Sequence, residues 1–94
     1  MYSPAYVWAK IINYLEERLS ALTISASFDD AELIELNEEQ LILYSPSEFR
    51  REVIQTRYTA YIQEALFLFL KESRSSSPKT ISLASELKIS FKAS

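Results

Sequence analysis

The chain contains no glycine. Glycine is the residue that reaches positive φ without a steric penalty. Every turn must therefore be made with Asn, Asp, Ser or Pro. Phosphate-cradling loops of the Walker or dinucleotide type are excluded within these residues, because their tight backbone needs glycine. The remaining turn formers stand between segments of regular hydrophobic spacing and so mark the element boundaries.

Ser3 is placed to N-cap a first helix, with Pro4 at the first helical position. Trp8, Ile11, Ile12, Leu15 and Leu19 then recur at amphipathic helical spacing, and the helix is expected to stop near Ser20. Ala21 to Phe28 reads as a short second helix, closed by the Asp29-Asp30 pair. Two strands follow, Glu32 to Leu36 and Gln40 to Ser45. In the first of them Leu33 and Ile34 break strict alternation. Asn37-Glu38-Glu39 connects the strands as a short hairpin, with Asn37 the residue best able to take φ > 0. Ser45-Pro46-Ser47-Glu48 has the form of a capping box, with Ser45 as N-cap and Ser47 as the competing cap. A third, long helix is predicted from there to about Glu72, with Ile54, Tyr58, Tyr61, Ile62, Ala65 and Phe69 as its buried stripe. Ser73 to Pro78 is a polar loop, and Leu87 to Phe91 alternates as a third strand, with Thr80 to Leu83 as part of it or its lead-in. The expected architecture is one α+β domain over residues 1–94, in the order α-α-β-β-α-β, with a three-stranded sheet packed against helices. A chain ending on its last strand has the look of a domain cut from a longer protein.

Composition narrows the function classes. Ninety-four residues suffice for one domain that buries about 60–65% of its unfolded surface, and hydrophobic residues at 48% can fill its core. There is no cysteine and no histidine. The commonest general base, the commonest zinc ligand and any thiolate site are therefore missing. No cofactor, metal or small-molecule substrate is expected, and a small enzyme is the weakest reading. A net charge of −3 opposes a domain whose main task is gripping duplex DNA. The start of the chain has no basic segment ahead of an apolar run, and Ala65 to Leu70 is too short to span a bilayer. A cytoplasmic location is expected, with no membrane partner.

From Val7 to Leu66 the chain resembles the N-terminal domain of the bacterial replication initiator DnaA. Val7-Trp8 looks like the Leu-Trp that opens the family's first helix, and Leu15 with Leu19-Ser20 fits its end. Leu41-Ile42-Leu43-Tyr44-Ser45-Pro46-Ser47-Glu48-Phe49 is similar to the family's second strand running into Ala-Pro-Asn-x-Phe. Arg57-Tyr58 matches the basic residue and Tyr of its third helix, with Ile62 and Leu66 at the expected spacing. The resemblance implies a KH-like fold and a hub role: weak self-association as a homo-dimer, recruitment of the replicative helicase, and docking of initiation regulators. Two positions depart from the family. Ser27-Phe28 stands where a Trp and an apolar residue are usual, and Thr23 where some members carry a carboxylate used for helicase contact.

The candidate site residues carry two readings each. The resemblance assigns self-association to Val7, Trp8 and Ile11, whereas the helical wheel places Trp8 in the buried stripe. It assigns partner binding to Thr23, Phe28, Phe49 and Val53. Phe49 and Val53 fall off the stripe of the long helix, so Phe49 is either a local staple or an exposed contact. Arg50, Arg51 and Arg57 form a solvated basic face or a weak contact for single-stranded DNA or an acidic partner. Glu16-Glu17, Asp29-Asp30 and Glu38-Glu39 read as surface and loop charges. An interaction module of a DnaA-like initiator is the leading expectation. A stand-alone KH-like module binding single-stranded nucleic acid is the alternative, against which the missing Gly-x-x-Gly clamp counts.

Overall fold

A computed structural model of the chain describes residues 3–37, 39–73 and 86–92. Ser3 is the N-cap of α1 (Pro4–Glu16), its hydroxyl accepting from the Tyr6 amide at 3.2 Å. The helix ends four residues before the expected Ser20. Ser20 is already extended (φ −68°, ψ 156°) and caps α2 (Ala21–Phe28), accepting from the Thr23 amide at 3.1 Å. One residue cannot be both the tail of one helix and the cap of the next. Leu19 still donates to the Leu15 carbonyl at 2.7 Å, in a tight turn that feeds the second helix.

β1 (Glu32–Leu36) and β2 (Gln40–Tyr44) pair antiparallel. The register slips between Leu33 and Glu35, leaving Ile34 as the extra residue of a bulge. That slip is the physical content of the broken alternation in the sequence. At the hairpin, Asn37 works through its side chain: Oδ1 accepts from the Glu39 and Gln40 amides at 2.8 and 2.9 Å. This is the local Asx geometry that lets a glycine-free turn close.

The long helix begins at Glu48, capped by Ser47, whose hydroxyl accepts from the Arg50 amide at 3.2 Å. The Ser45 cap is thereby corrected. Ser45 is buried and its hydroxyl turns to Asp30, donating to Oδ1 at 3.2 Å, while Ser47 stands directly before the first helical residue, Glu48. The helix is not uniform. α3 (Glu48–Val53) passes into a π-helical turn (Ile54–Tyr58) and then α4 (Thr59–Ser73). Thr56 and Thr59 donate to the carbonyls four residues back, at 2.8 and 2.7 Å, alongside this widened turn.

β3 (Lys88–Phe91) lies parallel to β2, which is the central strand of the order β1-β2-β3. The expected α-α-β-β-α-β architecture is therefore present, with the third helix carrying a π-turn. Leu33, Leu41, Leu43 and Ile89 bury one face of the sheet against Val7, Ile11 and Leu15 of α1 and Ile54, Ile62, Leu66 and Phe69 of the long helix. Tyr61, expected in the buried stripe, is 37% exposed. Of the expected loop Ser73 to Pro78, Ser73 is the last residue of α4, and Arg74 to Pro78, like the lead-in Thr80 to Leu83, lies outside the described residues. Among the described residues no helix is long and apolar enough to cross a membrane.

Candidate protein-docking face

The start of α3 is fastened to the end of α2 by a knot of polar contacts. Arg50 Nη1 meets Asp30 Oδ2 at 2.9 Å, and the second oxygen of Asp30 accepts from Ser45. Arg51 Nη1 donates to the Ser45 carbonyl at 2.6 Å. The pair Arg50–Asp30 is only about one-third exposed on either side, so solvent screens it less than a fully open pair. These contacts hold the two helices at a fixed separation and leave a groove of about 220 Å³ between them.

Thr23, Ala26 and Ser27 of α2 line one wall of that groove, and Phe49, Arg50 and Val53 of α3 with Arg57 and Tyr58 of the π-turn line the other. Three of the four residues to which the resemblance assigns partner binding, Thr23, Phe49 and Val53, are thus brought together. Phe49 is 74% exposed. A phenyl ring so open in a small domain is the kind of surface that marks an interaction site. Leu22, also on α2, is 80% exposed.

The fourth residue, Phe28, is buried. It packs between Trp8 and Tyr58, at ring-centroid distances of 6.1 and 5.5 Å. It does not line the α2–α3 groove; the little of it that is accessible borders a separate opening with Trp8, Ile12 and Ile24. Val7, Trp8 and Ile11 are buried too. Trp8 retains 9% of its surface, and its indole Nε1 donates to the Ala31 carbonyl at 3.0 Å, tying α1 to the entry of β1. A large ring with a polar N–H is expected to find such a partner when buried. Self-association at this end of the molecule would have to use the exposed shell around these three, such as Ala5 and Tyr6.

The three arginines divide. Arg50 and Arg51 are engaged within the domain, as described. Arg57 is exposed and has no ion pair among the described residues. The part played by Asp30 and Ser45 was hidden in the sequence: Asp30 reads as one of several loop charges, and only the fold brings Ser45 beside it. Among the described residues no group of three or more His, Cys, Asp or Glu is placed to hold a metal ion.

No solved structure matches the chain significantly. The profile of the DnaA N-terminal domain family matches residues 5–67, from the second residue of α1 to the middle of α4, more than half of the chain and including every element of the groove. The chain belongs to the DnaA N-terminal domain family.

Proposed function

We propose that the domain is a non-catalytic protein–protein interaction module of a DnaA-type initiator, acting in the initiation of DNA replication. It docks the replicative helicase or initiation regulators on the α2–α3 face and self-associates weakly through the outer turn of α1. The observation that carries this reading is Phe49, exposed at the rim of a groove whose walls are pinned by the Asp30–Ser45–Arg50–Arg51 contacts. A rigid exposed aromatic beside a preformed groove loses little conformational entropy on docking. Family membership supports the setting in replication initiation. A pull-down of the cognate helicase by the 94-residue chain, compared with its Phe49→Ala variant, tests the reading. Capture is expected to fall at least tenfold, the effect of losing an interface anchor worth about 1.4 kcal/mol or more. Unchanged capture by a variant with an unchanged thermal melt would overturn it.

Binding of single-stranded DNA as the main role has less support. It would ask a cationic track of a face on which two of three arginines are already committed.

A further inference from the structure

The charges around the α2–α3 groove are asymmetric. Among the described residues that line it, the charged ones are Arg50 and Arg57. Arg50 is neutralised by Asp30 at 2.9 Å. Arg57 is exposed without an ion pair among the described residues. The groove therefore offers an apolar lip, Phe49 with Val53, and one uncompensated cation two turns further along the same helix. From this we propose that the docking partner is an amphipathic helix with an acidic flank. It sets apolar side chains against Phe49 and Val53 and places a carboxylate at Arg57.

This rests on the docking reading above and adds the partner's chemistry to it. A groove between two helices is a shape that a third helix fills. An opposite charge at the rim fixes its register and speeds encounter. The same geometry suits a nucleic acid poorly. A phosphate backbone carries a charge at every nucleotide and needs a run of cations. Here the groove lining carries one open arginine, the other being paired with Asp30.

The test uses the full 94-residue chain, the cognate replicative helicase as protein probe, and a single-stranded oligothymidine as nucleic-acid probe. Arg57→Glu is compared with Phe49→Ala and with Lys71→Glu, an exposed charge reversal at the far end of α4. Arg57→Glu is expected to weaken helicase binding by about fivefold or more, with the loss shrinking as salt is raised. Lys71→Glu is expected to leave binding unchanged, and all three variants to keep the parent's circular dichroism and melting temperature. If Phe49→Ala weakens binding while Arg57→Glu does not, the acidic-partner inference fails and the docking reading survives. If Phe49→Ala has no effect, both fail. Should Arg57→Glu remove oligothymidine binding and spare the helicase, the groove is a nucleic-acid contact and the inference is overturned.

Discussion

Trp8 and Phe49 are both large aromatics near the start of a helix, yet they occupy opposite environments. The difference lies in what each indole or phenyl ring can reach. Trp8 finds an apolar neighbour in Phe28 and a hydrogen-bond acceptor in the Ala31 carbonyl. Phe49 sits one turn before the first core contact of the long helix and faces outward. Trp8→Phe keeps most of the ring and removes the N–H, leaving the Ala31 carbonyl short of its donor. The expected cost is about 1–3 kcal/mol, read by urea unfolding. A variant as stable as the parent would show that the hydrogen bond contributes nothing. Tyr14 supplies a second residue-scale prediction. Its hydroxyl donates to Glu72, joining α1 to the end of α4. That hydrogen bond, with partial burial and the nearby charges of Glu72 and Glu17, pushes the phenol pKa from 10.0 up to about 12. A raised folded-state pKa stabilises the fold below the unfolded value, and that stability is lost as pH climbs through the folded value. The parent should therefore lose more stability between pH 10 and 12 than Tyr14→Phe does. Parallel alkaline melting curves for the two proteins would contradict this. The two rings also show how far single residues could be read. The outward angle of Phe49 was legible from helical spacing, because it needs only the local period. The committed state of Arg50 and Arg51 was not, because their partners, Asp30 and the Ser45 carbonyl, belong to other elements.

At the scale of elements, the informative disagreement is in the long helix. A straight α-helix advances about 100° per residue. Counted from Ile54 at that rate, Tyr61 falls near the centre of the buried stripe and Leu66 about 120° away from it. The structure reverses them: Tyr61 is 37% exposed and Leu66 is 1% exposed. The π-turn is the reason. It takes up one extra residue, so that every position beyond Tyr58 is set back by about one α-helical step. With that correction Ile62 and Leu66 fall within roughly 20° of Ile54, and Tyr61 swings out by about 120°. Gln55 and Gln63 show the same displacement. Eight residues apart, they both donate to backbone carbonyls of the β3 segment, Ile89 and Leu87, each at 2.7 Å. Periodicity carried across the turn could not reveal it, because an inserted residue leaves no compositional mark. The phase shift also decides how α3 presents the groove. Deleting Thr56, an exposed residue of the turn, should let the helix run on as regular α-helix. Because the turn had set α4 back by that same step, α3 and α4 then keep the relative phase they already hold. The expected result is a folded domain whose helicase capture matches the parent's, whereas Phe49→Ala loses it. Loss of capture by a folded deletion variant would show that the widened turn itself, and not only the phase it sets, shapes the docking face.

For the molecule as a whole, a three-stranded sheet has two edges, and each is a template for pairing with another chain unless it is blocked. β1 is interrupted by the bulge at Ile34 and carries the exposed carboxylates of Glu32 and Glu35. β3 is handled differently. Lys88 and Lys92 donate their amides to the Glu39 and Leu43 carbonyls, so alternate residues of this segment face the centre of the sheet. Leu87 and Ile89 therefore point their backbone groups outward, and their carbonyls are the two that Gln63 and Gln55 occupy. The long helix thus covers the sheet face with Ile54, Ile62 and Leu66 and reaches over its edge with two amide side chains, which the π-turn brings into line. Removing them should open the edge more than it unfolds the domain. Each lost hydrogen bond is expected to cost about 1 kcal/mol. The double variant Gln55→Leu, Gln63→Leu should remain folded at low concentration but associate as concentration rises, because two outward carbonyls then seek new donors. Light scattering and size-exclusion chromatography across a concentration series check this, with Phe49→Ala as a control that leaves the edge covered. If the double variant stays as monodisperse as the parent, the glutamines contribute only local hydrogen bonds, and the edge must be blocked by something other than their side chains.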